Sequence, residues 1–491
     1  MMSVEAMSGT VVNPSVEASA VPQAKMRIGS EWRVCQDFDE VREPFAKRSV
    51  AQIPRSSSAD LNDALEAAVA AKAQAAEMPA YERAAMLNRA AEGMTGRAEK
   101  LARTLAFETG KALKDSRIEV ARSIETLRFS AAEAIRIEGE HVPLDGSSLG
   151  AGKIAMLLRF PVGVVAAITP FNAPINLAIH KIGPALAAGN TVVLKPPPQA
   201  SWTVHRLTEI FVEAGVPAGM LNTVYGHSVG AELVRDQRVD FISFTGSGRV
   251  GAEIKAASGL KRVVLELGGI GPTIVHSDAD VEAAAAICAR NGMRLAGQSC
   301  VSVQIVHVHR SVADPFIERL VKEVETMKVG DPLDLETDIG PLIDEQAASR
   351  VERWVCEAVA SGASVLTGGK RDGAFYAPTV LTNVTPRMKV VCEEIFGPVI
   401  SVIPYDEIEQ VFASISSSRF GLQCGLFTNS APLAVGAVRK LRTGGIIING
   451  TSTWRPDQLP YGGVKDSGIG REGPRYAIRE MTDERLVVFN F

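Results

Sequence analysis

Hydrophobic and polar positions divide this 491-residue chain into a helical opening and two α/β series. After short strands and turns over 26–54, the Ala-rich stretch 61–76 carries apolar residues at helical spacing, with Asp60 as N-cap. The helical period continues over 80–109 and 114–138, with a break at Gly110. Residues 141–161 begin Gly- and Ser-rich and then alternate through 153–160, which predicts a hairpin or extended arm. From 162 onward, apolar runs at 162–168, 191–194, 221–224, 241–244 and 262–267 alternate with helical stretches at 176–188, 201–214, 230–235 and 251–258. That alternation predicts a mostly parallel sheet with covering helices. A second series follows, with helices at 281–295, 312–327, 344–361, 408–417 and 431–441 and strands at 303–308, 364–367, 425–428 and 445–448. The apolar end, 485–491, reads as one more strand. The two extended pieces are candidates for strand exchange with a second copy, the alternative being an edge strand within one chain.

Composition narrows the class. The chain is too long for one simple core and predicts two or three lobes. A net charge of −4 argues against nucleic acid or an anionic membrane as partner. No run reaches the roughly 18 to 20 apolar residues that span a bilayer. Residues 1–25 lack a basic start and an apolar block, so they read as a disordered or loosely attached tail rather than a secretory signal. Six scattered cysteines without a CxxC point to a reducing, cytoplasmic compartment and away from a metal site.

Two of the predicted β elements carry chemistry at their ends. The run 262–267 holds Glu266 among apolar neighbours and is followed by Gly268 and Gly269. Cys300 follows a small Gly-Gln-Ser approach. A thiol and a buried acid suggest covalent catalysis with a general base. Phe244-Thr-Gly-Ser-Gly-Arg-Val-Gly251 joins a strand to a helix, where glycines admit a pyrophosphate and free N–H groups face it. Lys195 ends a neighbouring strand, where α/β sheets bind ligands. Taken singly, each has an ordinary reading: a core cysteine, a plain strand-to-helix turn, a solvated lysine.

The combination is more specific. Ile168-Thr-Pro-Phe-Asn172, Lys195-Pro, Phe244-Thr-Gly-Ser247, Leu265-Glu-Leu-Gly-Gly269, Gly297-Gln-Ser-Cys300, Glu393-Glu-Ile-Phe-Gly-Pro398 and Pro460-Tyr-Gly-Gly-Val-Lys-Asp-Ser-Gly468 occur in this order. Together they resemble the aldehyde dehydrogenase superfamily, over residues 28–490. Lys195-Pro-Pro-Pro-Gln-Ala-Ser201 and Trp454-Arg-Pro-Asp-Gln-Leu-Pro-Tyr461 look most like its lactaldehyde and non-phosphorylating glyceraldehyde-3-phosphate dehydrogenase branch. The resemblance implies an α/β fold in three parts. These are a Rossmann-like NAD(P)-binding lobe (26–145 and 162–272), an α/β catalytic lobe (273–477) and a small β oligomerisation arm (146–161 and 478–491). It also implies a homodimer or homotetramer.

Roles follow by the same resemblance. Cys300 is the expected nucleophile and Glu266 the general base, and the Asn172 amide with the Cys300 N–H forms the oxyanion hole. Lys195 is expected on the adenosine ribose, Ser247 at the pyrophosphate, Glu394 on the nicotinamide ribose, and Phe396 beside the nicotinamide. Ile168, Thr169, Pro170, Phe171, Pro198, Phe244, Thr245, Gly246, Val250, Leu267 and Gly268 complete the expected coenzyme lining. Many members carry a glutamate where this chain has Pro198, which leaves NAD and NADP both open. Ser299 stands where relatives that handle phosphorylated aldehydes often have arginine. Asn172, Asn176 and His180 are expected on one helix face toward the substrate, with Ser299, Arg455 and Tyr461 on other walls. Arg455 has two readings, a partner for the substrate or a partner for Asp457. The implied reaction is NAD(P)-dependent oxidation of a small aldehyde to the free acid. The alternatives are acyl transfer to coenzyme A, against which Glu266 counts, and a catalytically silent nucleotide-binding protein.

Overall fold

The computed structural model describes residues 21–491, which contain two large sheets, a three-stranded sheet and two two-stranded ones. In the first, five parallel strands lie in the order Leu221–Thr223, Thr191–Lys195, Val164–Ile168, Phe241–Thr245, Arg262–Glu266. Their side chains are nearly all buried, as expected for a sheet covered on both faces. The chain winds outward from Val164–Ile168 in one direction and then restarts beside it with Phe241–Thr245. That reversal opens a crevice at the carboxyl ends of the strands. The register aligns those ends: Ile168 is opposite Lys195 and Phe244, and Thr245 is opposite Glu266. Five candidate site residues are therefore delivered to one edge by strand pairing alone.

Helices Ala80–Thr95, Leu113–Ala134, Pro174–Ala188 and Ser201–Glu213 cover one face of this sheet, sharing a core of Ala, Leu, Ile and Val. All fifteen residues of Pro174–Ala188 are buried. The second sheet has seven strands, with Val399–Tyr405, Ile305–His309 and Pro272–Val275 at its centre, and its own core. The third sheet pairs Thr482–Asn490 antiparallel with Lys153–Pro161, which also pairs with Glu140–Val142.

Several boundaries differ from the sequence reading. Ser57, not Asp60, caps the first helix, Ser58–Ala70; Asp60 is the third helical residue and returns its carboxylate to the Ser57 N–H, a capping box. The stretch 80–109 is two helices that part at Gly96 and Arg97. Strands Pro272–Val275, Thr379–Thr382 and Val399–Tyr405 were missed because they are short apolar runs without alternation. Residues 1–20 of the expected tail lie outside the described residues. Ala24, at its other end, is fully buried and bonds to the Gln52 carbonyl, so 21–25 are tied down. The chain also returns late to the first lobe. Gly468–Ile469 pairs with Arg262–Glu266, and helix Pro474–Glu480 packs on Pro174–Ala188. The arm sheet takes in Glu140–Val142 as well, ahead of the expected boundary at 146.

Candidate active site

A cavity of about 670 Å³ occupies the crevice and runs from the strand ends to Cys300. All fifteen residues expected at the coenzyme line it, together with Asn172, Glu266, Cys300, Arg455 and Tyr461. Asn176, His180 and Ser299 do not.

The coenzyme end is built from turns. Ser247 caps helix Gly248–Ala257, its hydroxyl accepting the Val250 N–H at 3.4 Å. That helix start lies at the cavity wall, with Ser247 and Val250 lining it. A Cβ on Gly246 would strike the Phe244 ring, and one on Gly268 would strike the Glu394 carboxylate. Glu394 accepts the Gly269 N–H at 3.1 Å, and burial raises its carboxyl to about 7. Glu393 instead pairs with Arg419 at the surface. Phe396 takes a left-handed backbone, φ 48°, and meets Phe171 edge-to-face at 6.0 Å. Lys195 is buried, which lowers its ammonium to about 8, and its contact is the adjacent Pro196 carbonyl at 3.3 Å. The buried Thr169 hydroxyl has no partner among the described residues. An orphaned hydroxyl and a poorly satisfied buried cation beside a helix start fit a dinucleotide that brings hydroxyls and phosphates.

The other end is built around the thiol. The approach to Cys300 is strained: Leu295 and Ala296 have φ of 58° and 53° without being glycine. Gly297, φ 70°, packs so closely on the Gly397 backbone that no Cβ fits. Gln298 fixes the turn, donating to the Leu295 carbonyl and accepting the Ile343 N–H. The Asn172 amide donates to the Gln298 carbonyl at 3.0 Å, so it is held against the Cys300 segment. Among the described residues no backbone acceptor takes the Cys300 N–H. The Cys300 Sγ lies 3.1 Å from the Tyr461 hydroxyl. Burial pushes its thiol up to about 12, against the hydrogen bond from Tyr461. Glu266 is buried with both carboxyl oxygens unpartnered among the described residues, and burial, with Glu472 nearby, holds it well above the usual carboxylate range.

Behind these residues lies a network that the sequence reading missed. Glu472 bonds Lys181 at 2.9 Å and Arg455 at 3.2 Å. Lys181, fully buried, also donates to Thr245 at 2.8 Å. Asp457 accepts from Arg122 at 2.7 Å, from Asn176 at 3.0 Å and from His180 at 2.9 Å. Asn176 and His180 are absent from the cavity wall: Asp457 takes the Asn176 amide N–H and His180 Nε2, while the Asn176 carbonyl oxygen accepts from Thr126. Asn172 does not share their helix face either, because the helix starts at Pro174, two residues later. Arg455 pairs with Glu472 rather than Asp457, and its guanidinium stacks 3.6 Å from the Tyr461 ring centroid. Ser299 is half-buried and turned to its own loop, near the Val301 N–H at 3.5 Å. One signal for the network was visible, since a lysine inside the largely apolar stretch 176–188 needs a buried acid.

A nucleotide crevice that ends at a half-buried thiol and a carboxyl unpartnered among the described residues defines a class, the nucleotide-dependent enzymes with a cysteine at the reacting end. Residues 33–487 match the aldehyde dehydrogenase family, and the chain belongs to that family. It is 46% identical over 472 residues to 3-sulfolactaldehyde dehydrogenase of Priestia aryabhattai, covering 96% of this chain and 98% of the relative. It is 38% identical to lactaldehyde dehydrogenase of Methanocaldococcus jannaschii, over 95% and 100% of the two chains. Among solved structures, NADP-dependent glyceraldehyde-3-phosphate dehydrogenase from Bacillus halodurans, complexed with NADP, superimposes with a TM-score of 0.93 at 36% identity, over 95% of this chain and 99% of that one. Aldehyde dehydrogenase 21 of Physcomitrella patens, in complex with its product succinate, gives 0.94 at 36% identity, over 96% and 99%. The protein is an NAD(P)-dependent aldehyde dehydrogenase.

Proposed function

We propose that this enzyme oxidises a small aldehyde to the free carboxylic acid through a thioester on Cys300. The observation that supports it is the meeting of the Cys300 thiol, the Asn172 amide and the unpartnered Glu266 carboxyl at one end of the dinucleotide crevice. The thiol, once ionised, adds to the aldehyde carbon and leaves an oxyanion. The Asn172 amide and the Cys300 N–H donate to that oxygen; neither titrates, and both are fixed before reaction. Tyr461 keeps its own proton and donates its O–H to the sulfur anion. NAD or NADP, held by Lys195, Ser247, Glu394 and the helix start at Gly248, supplies the hydride acceptor when bound. The resulting thioester needs water and a base. Glu266 serves once its proton has left, and its raised pKa makes it a stronger base when ionised. No thiol acceptor such as coenzyme A is then required.

The assembly is proposed to be a homodimer or homotetramer in the cytoplasm. Thr482–Asn490 is an edge strand, and Leu486, Val488, Phe489 and Phe491 are exposed along and just beyond it. A second copy of this chain would cover that edge. The decisive experiment for the chemistry is Cys300→Ala. It should abolish aldehyde-dependent NAD(P)H formation while coenzyme binding, read by fluorescence, persists. Full turnover by the variant overturns the assignment.

A further inference from the structure

One helix packed on the first sheet grips three segments of the reacting end. Helix Leu113–Ala134 carries Asp115, Glu119 and Arg122, and spacings of four and three residues put them in one stripe. Asp115 takes the Arg294 guanidinium at 2.7 Å. Arg294 directly precedes the left-handed pair Leu295 and Ala296 that leads to Cys300. One turn on, Glu119 accepts the Ile175 N–H at 2.9 Å and the Asn176 N–H at 3.2 Å. Those groups open helix Pro174–Ala188, which has no side-chain cap of its own, and Asn172 lies just ahead of it. Arg122 holds Asp457.

The stripe is itself anchored. Leu113, Val120, Ile124 and Leu127 are buried in the core of the first sheet's helical face. The Leu113 N–H donates to the Pro332 carbonyl at 2.8 Å, and Gly340 lies so close to the Gly110 carbonyl that no Cβ fits there. The helix start is therefore pinned to the 332–340 segment. Glu119 is buried and paired with the equally buried Lys111, beside that junction. A buried ion pair is often no more stabilising than apolar packing would be. Non-glycine backbone at positive φ persists only where its surroundings over-determine it.

Building on the reaction proposed above, in which Asn172 is the oxyanion donor, we propose that Asp115 and Glu119 are positioning residues that set the separation between the Cys300 thiol and the Asn172 amide. Neither lines the cavity. Asp115 acts through Arg294 on the loop that carries the sulfur. Glu119 acts through the helix start on the segment that carries the amide. The aldehyde carbon must meet the sulfur while its oxygen meets the amide, so an error of about 1 Å costs on the order of 10² in rate.

The test is a double-mutant cycle against Asn172→Ala, with the best of propanal, lactaldehyde and succinic semialdehyde as substrate. It reads the burst rate of NAD(P)H formation and kcat. Glu119→Ala should lower both by about 10². Coenzyme affinity, read by fluorescence, should not move. Glu119→Gln, whose amide oxygen still accepts the two N–H groups, should recover about tenfold. In the Asn172→Ala background, with no amide left to place, Glu119→Ala should cost about twofold or less. Glu119→Asp keeps the charge but falls a methylene short of the helix start; it replaces Glu119→Ala in the cycle if that variant does not fold. Arg294→Gln, at a partly exposed side chain, should lower the same rates and be less than additive with Asn172→Ala. Full additivity in either cycle, or wild-type rates in folded Glu119→Ala, overturns the positioning role and leaves the dehydrogenase reading standing. Wild-type rates in Asn172→Ala overturn the oxyanion assignment and this proposal with it. Hydride transfer with none of the three aldehydes overturns the dehydrogenase reading as well.

Discussion

The two ends of the cavity are built on different principles. The coenzyme end is local: Lys195 and Thr245 are strand termini placed by register, and Ser247 and Gly246 belong to one turn. Its polar groups wait for a ligand. The thiol end is assembled from distant segments. Arg122, Asn176, Lys181, Asp457 and Glu472 come from three parts of the chain and satisfy one another. Backbone geometry makes the first end, and side-chain charge makes the second. Substitutions should accordingly act on coenzyme KM at one end and on chemistry or folding at the other.

The largest separation is expected for Glu266→Gln. Removing a general base costs on the order of 10²–10⁴ in the step it serves. Rapid mixing should show an intact first turnover of NAD(P)H followed by a collapsed steady state. Loss of the burst itself would move Glu266 out of the hydrolytic role. The pH dependence sharpens this. Glu266 is held protonated well above the usual carboxylate range, so its base form grows as pH rises through that raised pKa. Thioester hydrolysis in the wild type should rise with pH in that window, and in the variant it should be flat.

Next in size is Asn172→Ala. Losing one oxyanion donor costs roughly 10²–10³ in rate. Here the burst and the steady state should fall together, since both oxyanions use the amide. The Asn172 amide also braces the Gln298 carbonyl, so part of the loss reflects a looser Cys300 loop. Unchanged coenzyme affinity would keep the effect at the thiol end.

At the other end, Gly268→Ala should act through Glu394. The added methyl displaces that carboxylate rather than the backbone. About a tenfold rise in coenzyme KM is expected, on the scale of one charged hydrogen bond, with the hydrolytic step little altered. Equal losses in KM and in thioester hydrolysis would dissolve the contrast between the ends.

That contrast also explains what could be read in the sequence. Strand ends and Gly-rich turns are contiguous in the chain, so Phe244–Ser247 and Leu265–Gly269 announce themselves. The lobes were legible because apolar runs alternate with helical stretches over long distances. The charge network has no local signature. Asp457 was visible only as a neighbour of Arg455, yet it serves Arg122, more than three hundred residues away. Arg455 in turn goes to Glu472, an acid that no motif marks. His180 and Asn176 were placed on the substrate side because helical periodicity reports a face. It does not report what already occupies that face.

An effect of the same modest size, and the one closest to the chemistry, concerns Tyr461. Its hydroxyl is 3.1 Å from the Cys300 sulfur, and burial holds that thiol near 12 without coenzyme. At pH 8 a thiol with that pKa is ionised to about one part in 10⁴, since each pH unit is a factor of ten. Iodoacetamide should therefore alkylate Cys300 slowly at neutral pH, with a rate that climbs about tenfold per unit toward pH 10. Tyr461→Phe removes the hydroxyl beside the sulfur and leaves the ring under Arg455. Losing that hydrogen bond should lower the alkylation rate by about tenfold at every pH in the range while keeping the same slope. Mass spectrometry of the peptide carrying Cys300 reads the rate directly, and coenzyme binding should be unaffected. A variant that is alkylated as fast as the wild type would show that the tyrosine packs beside the nucleophile without helping it ionise.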